Sequence, residues 1–289
     1  MRKLKTLNEL TIKDNFMFGA VMCNEEICRE FLEMILGFSI ESVTVCKEKS
    51  MVYHPEYKGI RLDVIANDEY NTHYNVEMQV KKEPALPKRN RYYHSQIDME
   101  LLDGGKTYEE LPDTYVIFVC DFDPFGKKKY RYTFENCCLE DNTLKLRDGS
   151  VSIFLSTKGE NREEVPGQVV QFLEFVGSGG EIVLPVSENS YVCKLQRCIE
   201  DVRANRELGG RYMILREMLA AEYAEGKAEG KAEGKALAIT MLLEMKGVVS
   251  EELKMQILSQ RNEPVLDAWL RNAVECASVE EFVESIKII

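Results

Sequence analysis

The 289 residues, at 33.2 kDa, suffice for two domains or for one large domain with an appendage, and 45% hydrophobic against 30% charged residues let the chain bury a core. With 37 basic and 49 acidic side chains the net charge is −12, which excludes a generally basic coat for nucleic acid and leaves room only for local basic strips. No apolar run approaches the ~20 residues of a membrane span, and the opening MRKLKTLNEL lacks the apolar centre of a signal peptide, so a cytoplasmic chain that does not enter a membrane is expected.

In chain order, Phe16, Ala20, Ile27, Phe31, Met34 and Ile35 recur near helical spacing, which predicts a helix over residues 12–37 that stops at Gly37. Residues 42–46 and 51–53 read as short strands, and residues 60–66 and 74–80 as two clearly alternating ones. Pro84 and Pro87 end the second, and a helix over 88–103 begins at a proline and stops at Gly104-Gly105. TYVIFVC at 114–120 is a strand covered on both faces. Strands at 130–136 and 151–155 and a helix at 164–176 follow. This order is not the repeating βαβα of a doubly wound sheet. It predicts an α/β domain with a mixed central sheet flanked by helices, spanning residues 1–180 and ending where Gly177, Gly179 and Gly180 cluster.

The character then changes to an α-helical C-terminal extension. Residues 187–246 are charged and helical in pattern and repeat EGKA at 225–228, 229–232 and 233–236. Within that repeat every charged i,i+4 pair is like-charged, and each glycine costs a helix about 1 kcal/mol relative to alanine. Either the repeat is a flexible helical spacer, or its glycine stripe at 226, 230 and 234 packs against a partner copy. Residues 247–289 read as a small helical module, with Ser278 and Glu281 as a capping box. So short a segment is expected to associate with another subunit, giving a homo-oligomer.

Nine cysteines, without a C-x-x-C pair, and three histidines, His54, His73 and His94, have no zinc-ligand spacing. Reduced thiols packed as small apolar groups are expected.

The chemistry concentrates in IRLDVIANDEYNTHYNVEMQV, residues 60–80. With the turn centred near Tyr70, cross-strand partners place Asp63 opposite Glu77, and Gln79 shares the face of Glu77. Two facing carboxylates repel. Either a divalent cation such as Mg²⁺ or Mn²⁺ joins them, or the register is shifted and both are solvated. Lys81 continues the Glu77 face. Lys81, Lys82, Lys88, Arg89 and Arg91 against Glu83 form one basic strip, and Lys127, Lys128, Lys129 and Arg131 form a second. Both are phosphate-binding candidates or solvated loops. On the following helix Arg89, Tyr93 and Gln96 share a face, Tyr92 and Met99 form a neighbouring stripe, and Ile97 and Leu101 point to the core.

Asp63 followed by Glu77-Met78-Gln79 resembles the signature of PD-(D/E)xK nucleases. The ordered series TIKDNFMFGAVM, RLDV, YNVEMQV, RNRYYHSQID, LPDTYVIFVCDFDPFG and YRYTFEN resembles more closely the recombination-promoting nuclease / putative transposase family, over about the first 155 residues. The resemblance implies a nuclease fold, a divalent metal, DNA as partner and phosphodiester cleavage. Asp63, Glu77 and the Met78 backbone carbonyl would hold Mg²⁺ or Mn²⁺. Gln79 would orient water, and Lys81, Arg89 or Arg91, with Gln96, would meet phosphate or water. Two departures stand out. Gln79 replaces the signature lysine, and Asn15 stands where the family's first-helix acid precedes Phe-Met-Phe, with Asp14 one residue earlier. Asp14 either contributes acid or completes a helix start with Thr11. These departures support a second reading, a catalytically weak or inactive DNA-binding or assembly protein that keeps the fold.

Overall fold

The computed structural model describes residues 5–51, 60–181 and 187–286. They fall into two compact units, one ending at Tyr212 and one beginning at Met213. His54 and residues 52–53 of the second early strand lie outside the described residues. Among the described residues no helix is long and apolar enough to cross a membrane.

The first unit is a mixed six-stranded sheet between helical layers. Its strands are β1 (Val43–Met51), β2 (Ile60–Asp68), β3 (His73–Gln79), β4 (Thr114–Cys120), β5 (Arg131–Phe134) and β6 (Ser150–Ser156), in the order β1-β2-β3-β4-β6-β5. The first three form an antiparallel meander, β3, β4 and β6 run parallel, and β5 closes one edge antiparallel to β6. The parallel step from β3 to β4 requires a crossover. Helix α3 (Leu86–Leu101), with Pro87 in its first turn, supplies it.

The single helix expected over 12–37 is two: α1 (Asn15–Met22) and α2 (Glu25–Leu36). The break is chemical. Asn24 caps α2 by accepting the Ile27 N–H at 3.1 Å, and an N-cap residue leaves the helical conformation. Gly37 ends α2 at φ 83°, where only glycine avoids a Cβ penalty. The short strands expected at 42–46 and 51–53 belong, as far as residue 51, to one continuous β1.

Helices α4 (Gly167–Ser178) and α5 (Tyr191–Ala204) complete the unit. The residues of α5, placed by sequence in the charged extension, lie beyond the boundary expected near 180. Its Leu195, Ile199 and Val202 are buried in the same core as α1, α2 and α4. That core covers one sheet face through Val64, Ala66, Tyr74, Val76, Met78, Ile117 and Val119. On the opposite face Val116, Phe118, Cys120 and Phe154 pack beneath Leu86, Tyr93 and Ile97 of α3. Strand β4 is therefore apolar on both sides, as its sequence required.

Within the charged segment Asn205 separates α5 from α6 (Arg206–Glu244). The second unit joins most of α6 to α7 (Glu251–Ser259), α8 (Glu263–Glu275) and α9 (Val279–Ile286). The tail has a core of its own. Ala236, Ile239 and Leu243 of α6 are enclosed with Ile257, Leu266, Trp269 and Phe282. The absence of Glu–Lys pairs inside the repeat is made good by α8, where Lys231 and Lys235 both reach Glu263, at 2.7 and 3.0 Å. At α9 Ser278 Oγ accepts the Glu281 N–H at 3.3 Å, while the Glu281 carboxylate reaches back to the Ala277 N–H.

All nine cysteines are free thiols. Burial pushes Cys28 and Cys120 up to about 12, so they pack as apolar groups.

Candidate active site

The β2–β3 hairpin is paired from Asn67–His73 to Val64–Val76. This is the register expected from a turn near Tyr70. The turn itself is held by Asp68, which accepts the Tyr70 and Thr72 N–H groups at 3.0 and 2.8 Å and the Tyr74 hydroxyl at 2.6 Å. One step beyond Val64–Val76, side chains join the strands. The Asp63 N–H donates to Glu77 Oε1 at 3.1 Å, and the Met78 N–H donates to Asp63 Oδ2 at 3.4 Å. Each carboxylate thus takes up a main-chain donor of the opposite strand.

Glu77 is only 4% exposed, on the face that α3 covers. Burial pushes its carboxyl up to about 8. The charge of Asp63 adds to the shift, against hydrogen bonds from the Asp63 N–H and Asn75 and the charge of Arg89. Asn75, two residues earlier on the same face, donates Nδ2 to Glu77 Oε1 at 3.1 Å. Its own Oδ1 is buried and has no hydrogen-bond partner among the described residues.

Arg89, in the first turns of α3, connects the remaining groups. Its Nη2 donates to Gln79 Oε1 at 2.6 Å and stands 4.0 Å from Glu77 Oε2, while Nη1 donates to Glu83 Oε2 at 2.9 Å. The guanidinium carbon lies 5.5 Å from the Tyr93 ring centroid and 5.3 Å from that of Phe118. An arginine is suited to such a post, because a planar fork can meet several acceptors while its face rests on rings. Gln79 donates Nε2 to the Lys81 carbonyl at 2.6 Å, so its amide is held at both ends.

The other predicted residues are dispersed. Lys81 is exposed beyond the end of β3. Gln96 is buried on α3, with Nε2 3.9 Å from Met99 Sδ. Arg91 is exposed and lines a cavity of about 630 Å³ that also includes Asn90, His94, Asp98, Asp148 and Ser152. Asp14 is turned to its own helix start. It accepts the Thr11 N–H at 2.8 Å and pairs with Lys5 at 2.9 Å. In the second basic strip Lys128 pairs with Glu160 and Lys129 with Glu164, both at 2.8 Å, and the Lys127 N–H donates to the Tyr132 hydroxyl at 3.2 Å.

Two sets of polar residues escaped the sequence reading. Asn75 had a signal, since it sits in YNVEMQV at the same-face spacing as Glu77 and Gln79. The second set had none. Lys13 pairs with Asp121 at 2.7 Å, and Thr157 Oγ1 donates to the same carboxylate at 2.9 Å. These partners, more than a hundred residues apart in the case of Lys13, meet only in the fold. Burial alone would raise Asp121, but Lys13 and Thr157 outweigh it and hold the carboxyl below its ordinary range.

The donor set bears on whether a metal fits. No group of three or more His, Cys, Asp or Glu side chains that could hold an ion occurs among the described residues. The hairpin offers two carboxylates, Asp63 and Glu77, the second of them deeply buried. Mg²⁺ is ordinarily held by one or two carboxylates, with waters and substrate phosphates completing its octahedron, so this donor set fits it.

A comparison with protein-family models matches residues 15–156 to one described as PD-(D/E)XK nuclease family transposase. No curated protein and no solved structure matches the chain. The matched span runs from the first residue of α1 to the last residue of β6 and contains Asp63, Glu77, Gln79 and Arg89.

Proposed function

Because residues 15–156 belong to the PD-(D/E)XK nuclease family transposases, we propose that this chain is a divalent-metal-dependent endonuclease that hydrolyses DNA phosphodiester bonds, in the service of recombination or mobile-element activity. The observation that carries this reading is the buried Glu77 carboxylate joined to Asp63 across the hairpin, with the Arg89 guanidinium 4.0 Å away. Asp63, Glu77 and the Met78 carbonyl are the groups that would hold Mg²⁺ or Mn²⁺. A cation bound there supplies Lewis acidity toward a phosphate oxygen and lowers the pKa of a water.

The protein's own part is positioning and charge. Asn75 and the Asp63 N–H fix the Glu77 carboxylate through two hydrogen bonds. Gln79 cannot supply the charge of the signature lysine, but it holds Arg89, whose guanidinium does. The second Nε2 proton of Gln79 is available to orient a water. Arg89 then offers fixed positive charge where a pentavalent phosphorane-like state builds negative charge. Lys81, exposed beyond the end of the strand, adds a cation for the DNA backbone.

One observation favours the second reading, a weak or inactive nuclease fold used for DNA binding or assembly: the signature position holds an amide already engaged with Arg89 and the Lys81 carbonyl. Single-turnover nicking of supercoiled plasmid, with Mg²⁺ and with EDTA, separates the two. Metal-dependent nicking that vanishes in Glu77→Gln is the expected result. DNA binding with no nicking above that variant would establish the second reading.

A further inference from the structure

The second half of α6 is buried along one face only, where Ala232, Ala236, Ile239 and Leu243 meet the helices behind it. At 100° per residue, the opposite face carries Leu219, Tyr223, Gly226, Gly230, Gly234 and Leu237 in one stripe, which Met241 prolongs. The large members are open to solvent: Leu219 is 48%, Tyr223 67%, Leu237 51% and Met241 64% exposed. A Cβ built on any of the three glycines would meet nothing within 4 Å. The stripe extends over ~33 Å of helix, at about 1.5 Å per residue.

A lone helix gains nothing from this pattern. Each of the three glycines is a poorer helix former than alanine, and four exposed apolar side chains cost it solvation. A facing helix recovers both losses, because the glycines let two backbones approach closely while the larger side chains pack above and below.

The charges on either side select the partner and its direction. Glu222, Glu229 and Glu233 lie along one flank of the stripe, and Arg216 and Lys227 along the other, with Lys231, already paired with Glu263, at its edge. Glu222, Glu229, Glu233 and Lys227 are exposed and form no ion pair among the described residues. When two copies of such a helix pack parallel, the acidic flank of each meets the basic flank of the other. Packed antiparallel, acid meets acid and base meets base. We propose that α6 pairs in parallel with α6 of a second copy of this chain, through the stripe from Leu219 to Met241. Lys227 of each copy then lies against Glu222 of the other, five residues apart along the parallel seam.

Sedimentation velocity of the full chain at low salt tests this. The wild type is expected to be a dimer at micromolar concentration. Gly226→Gln/Gly230→Gln/Gly234→Gln keeps or raises helix content by circular dichroism, since glutamine is the better helix former, and it should abolish the dimer. Lys227→Glu should raise the dimer dissociation constant more than tenfold, and Glu222→Lys added to it should restore the wild-type value by exchanging the flanks. A monomeric wild type at tens of micromolar, or a dimer indifferent to the glycine substitutions, would overturn the pairing. A dimer weakened by Lys227→Glu and not restored by the double exchange would overturn the parallel direction.

Discussion

The α3-covered face of the sheet and the outer face of α6 break the usual distribution of residues in opposite ways. Beneath α3 the chain buries Asn75, Glu77 and Gln79, while along α6 it leaves Leu219, Tyr223 and Met241 in solvent. A globular fold does neither without a cost. At the first place the cost is reduced inside the unit, since Arg89, Asn75 and main-chain N–H groups hold the buried polar atoms and a cation would do the rest. At the second place nothing among the described residues of the unit covers the stripe, and the compensation we propose is a second copy. Polar burial marks a site for small charged species. An apolar stripe with opposed charged flanks, open among the described residues, is what the proposed pairing with a second copy would cover.

The largest effect is expected where the first half of that contrast is attacked directly. Asp63→Asn and Glu77→Gln should each reduce Mg²⁺-dependent nicking of plasmid by more than about a hundredfold, since metal-site chemistry contributes several kcal/mol and ~1.4 kcal/mol is tenfold in rate. Both variants should remain folded by circular dichroism, because each removes one of two repelling carboxylates. Full activity in either folded variant would remove the metal assignment.

Arg89→Lys comes next. A lysine keeps the charge but cannot bridge Gln79 and Glu83 while resting on Tyr93 and Phe118. We expect a loss of roughly tenfold to a hundredfold in single-turnover rate, with plasmid affinity changed less. Equal losses in affinity and rate would make Arg89 a DNA-binding residue rather than one that acts at the reacting phosphate.

Metal linkage offers a readout free of catalysis. Mg²⁺ or Mn²⁺ should raise the melting temperature of the wild type and leave Asp63→Asn/Glu77→Gln unmoved, because a ligand stabilises the state that binds it. Equal shifts in the two proteins would place the ion elsewhere.

A pH titration examines buried polarity away from the hairpin. His94 lies between Thr114 Oγ1 at 3.0 Å and Ser152 Oγ at 3.1 Å, and burial pushes it down from 6.5 to about 4. Above about pH 6.5 both folded and unfolded states hold it neutral, and its contribution to stability is complete. As pH falls toward 4 the unfolded chain takes up the proton and the folded one does not, so stability is lost, by about 2–3 kcal/mol at ~1.4 kcal/mol per unit. His94→Gln should flatten that part of the urea-denaturation profile. An unchanged slope would mean that other groups carry it.

The smallest effect tests whether the helical unit has a stability of its own. Ser250 caps α7 by accepting the Leu253 N–H at 3.3 Å. Ser250→Ala should cost about 1 kcal/mol, lowering the transition assigned to the second unit while leaving nicking intact. A single shared transition would mean that the two units unfold together.

Much of this was legible in the chain. Period-two alternation on either side of a short polar turn determines the β2–β3 register, because a slip of one residue would turn Val64, Val76 and Met78 out of the core. The same parity carries Asp63 and Glu77 to one place. The unbroken apolar run of β4 determines that the sheet is covered on both faces. The like-charged spacing of the EGKA repeat determines that it cannot sustain a helix by its own salt bridges. Tertiary structure decided what depends on distant partners. It bound α5 into the first unit through Leu195, Ile199 and Val202, and it closed a core around Trp269 and Phe282. It brought Lys13 to Asp121 and put Arg89 over Phe118 with its guanidinium on Gln79. Local patterns report the face on which a residue lies. What stands opposite that face depends on how the layers pack, and only there does the buried Glu77 meet the positive charge that Gln79 itself cannot carry.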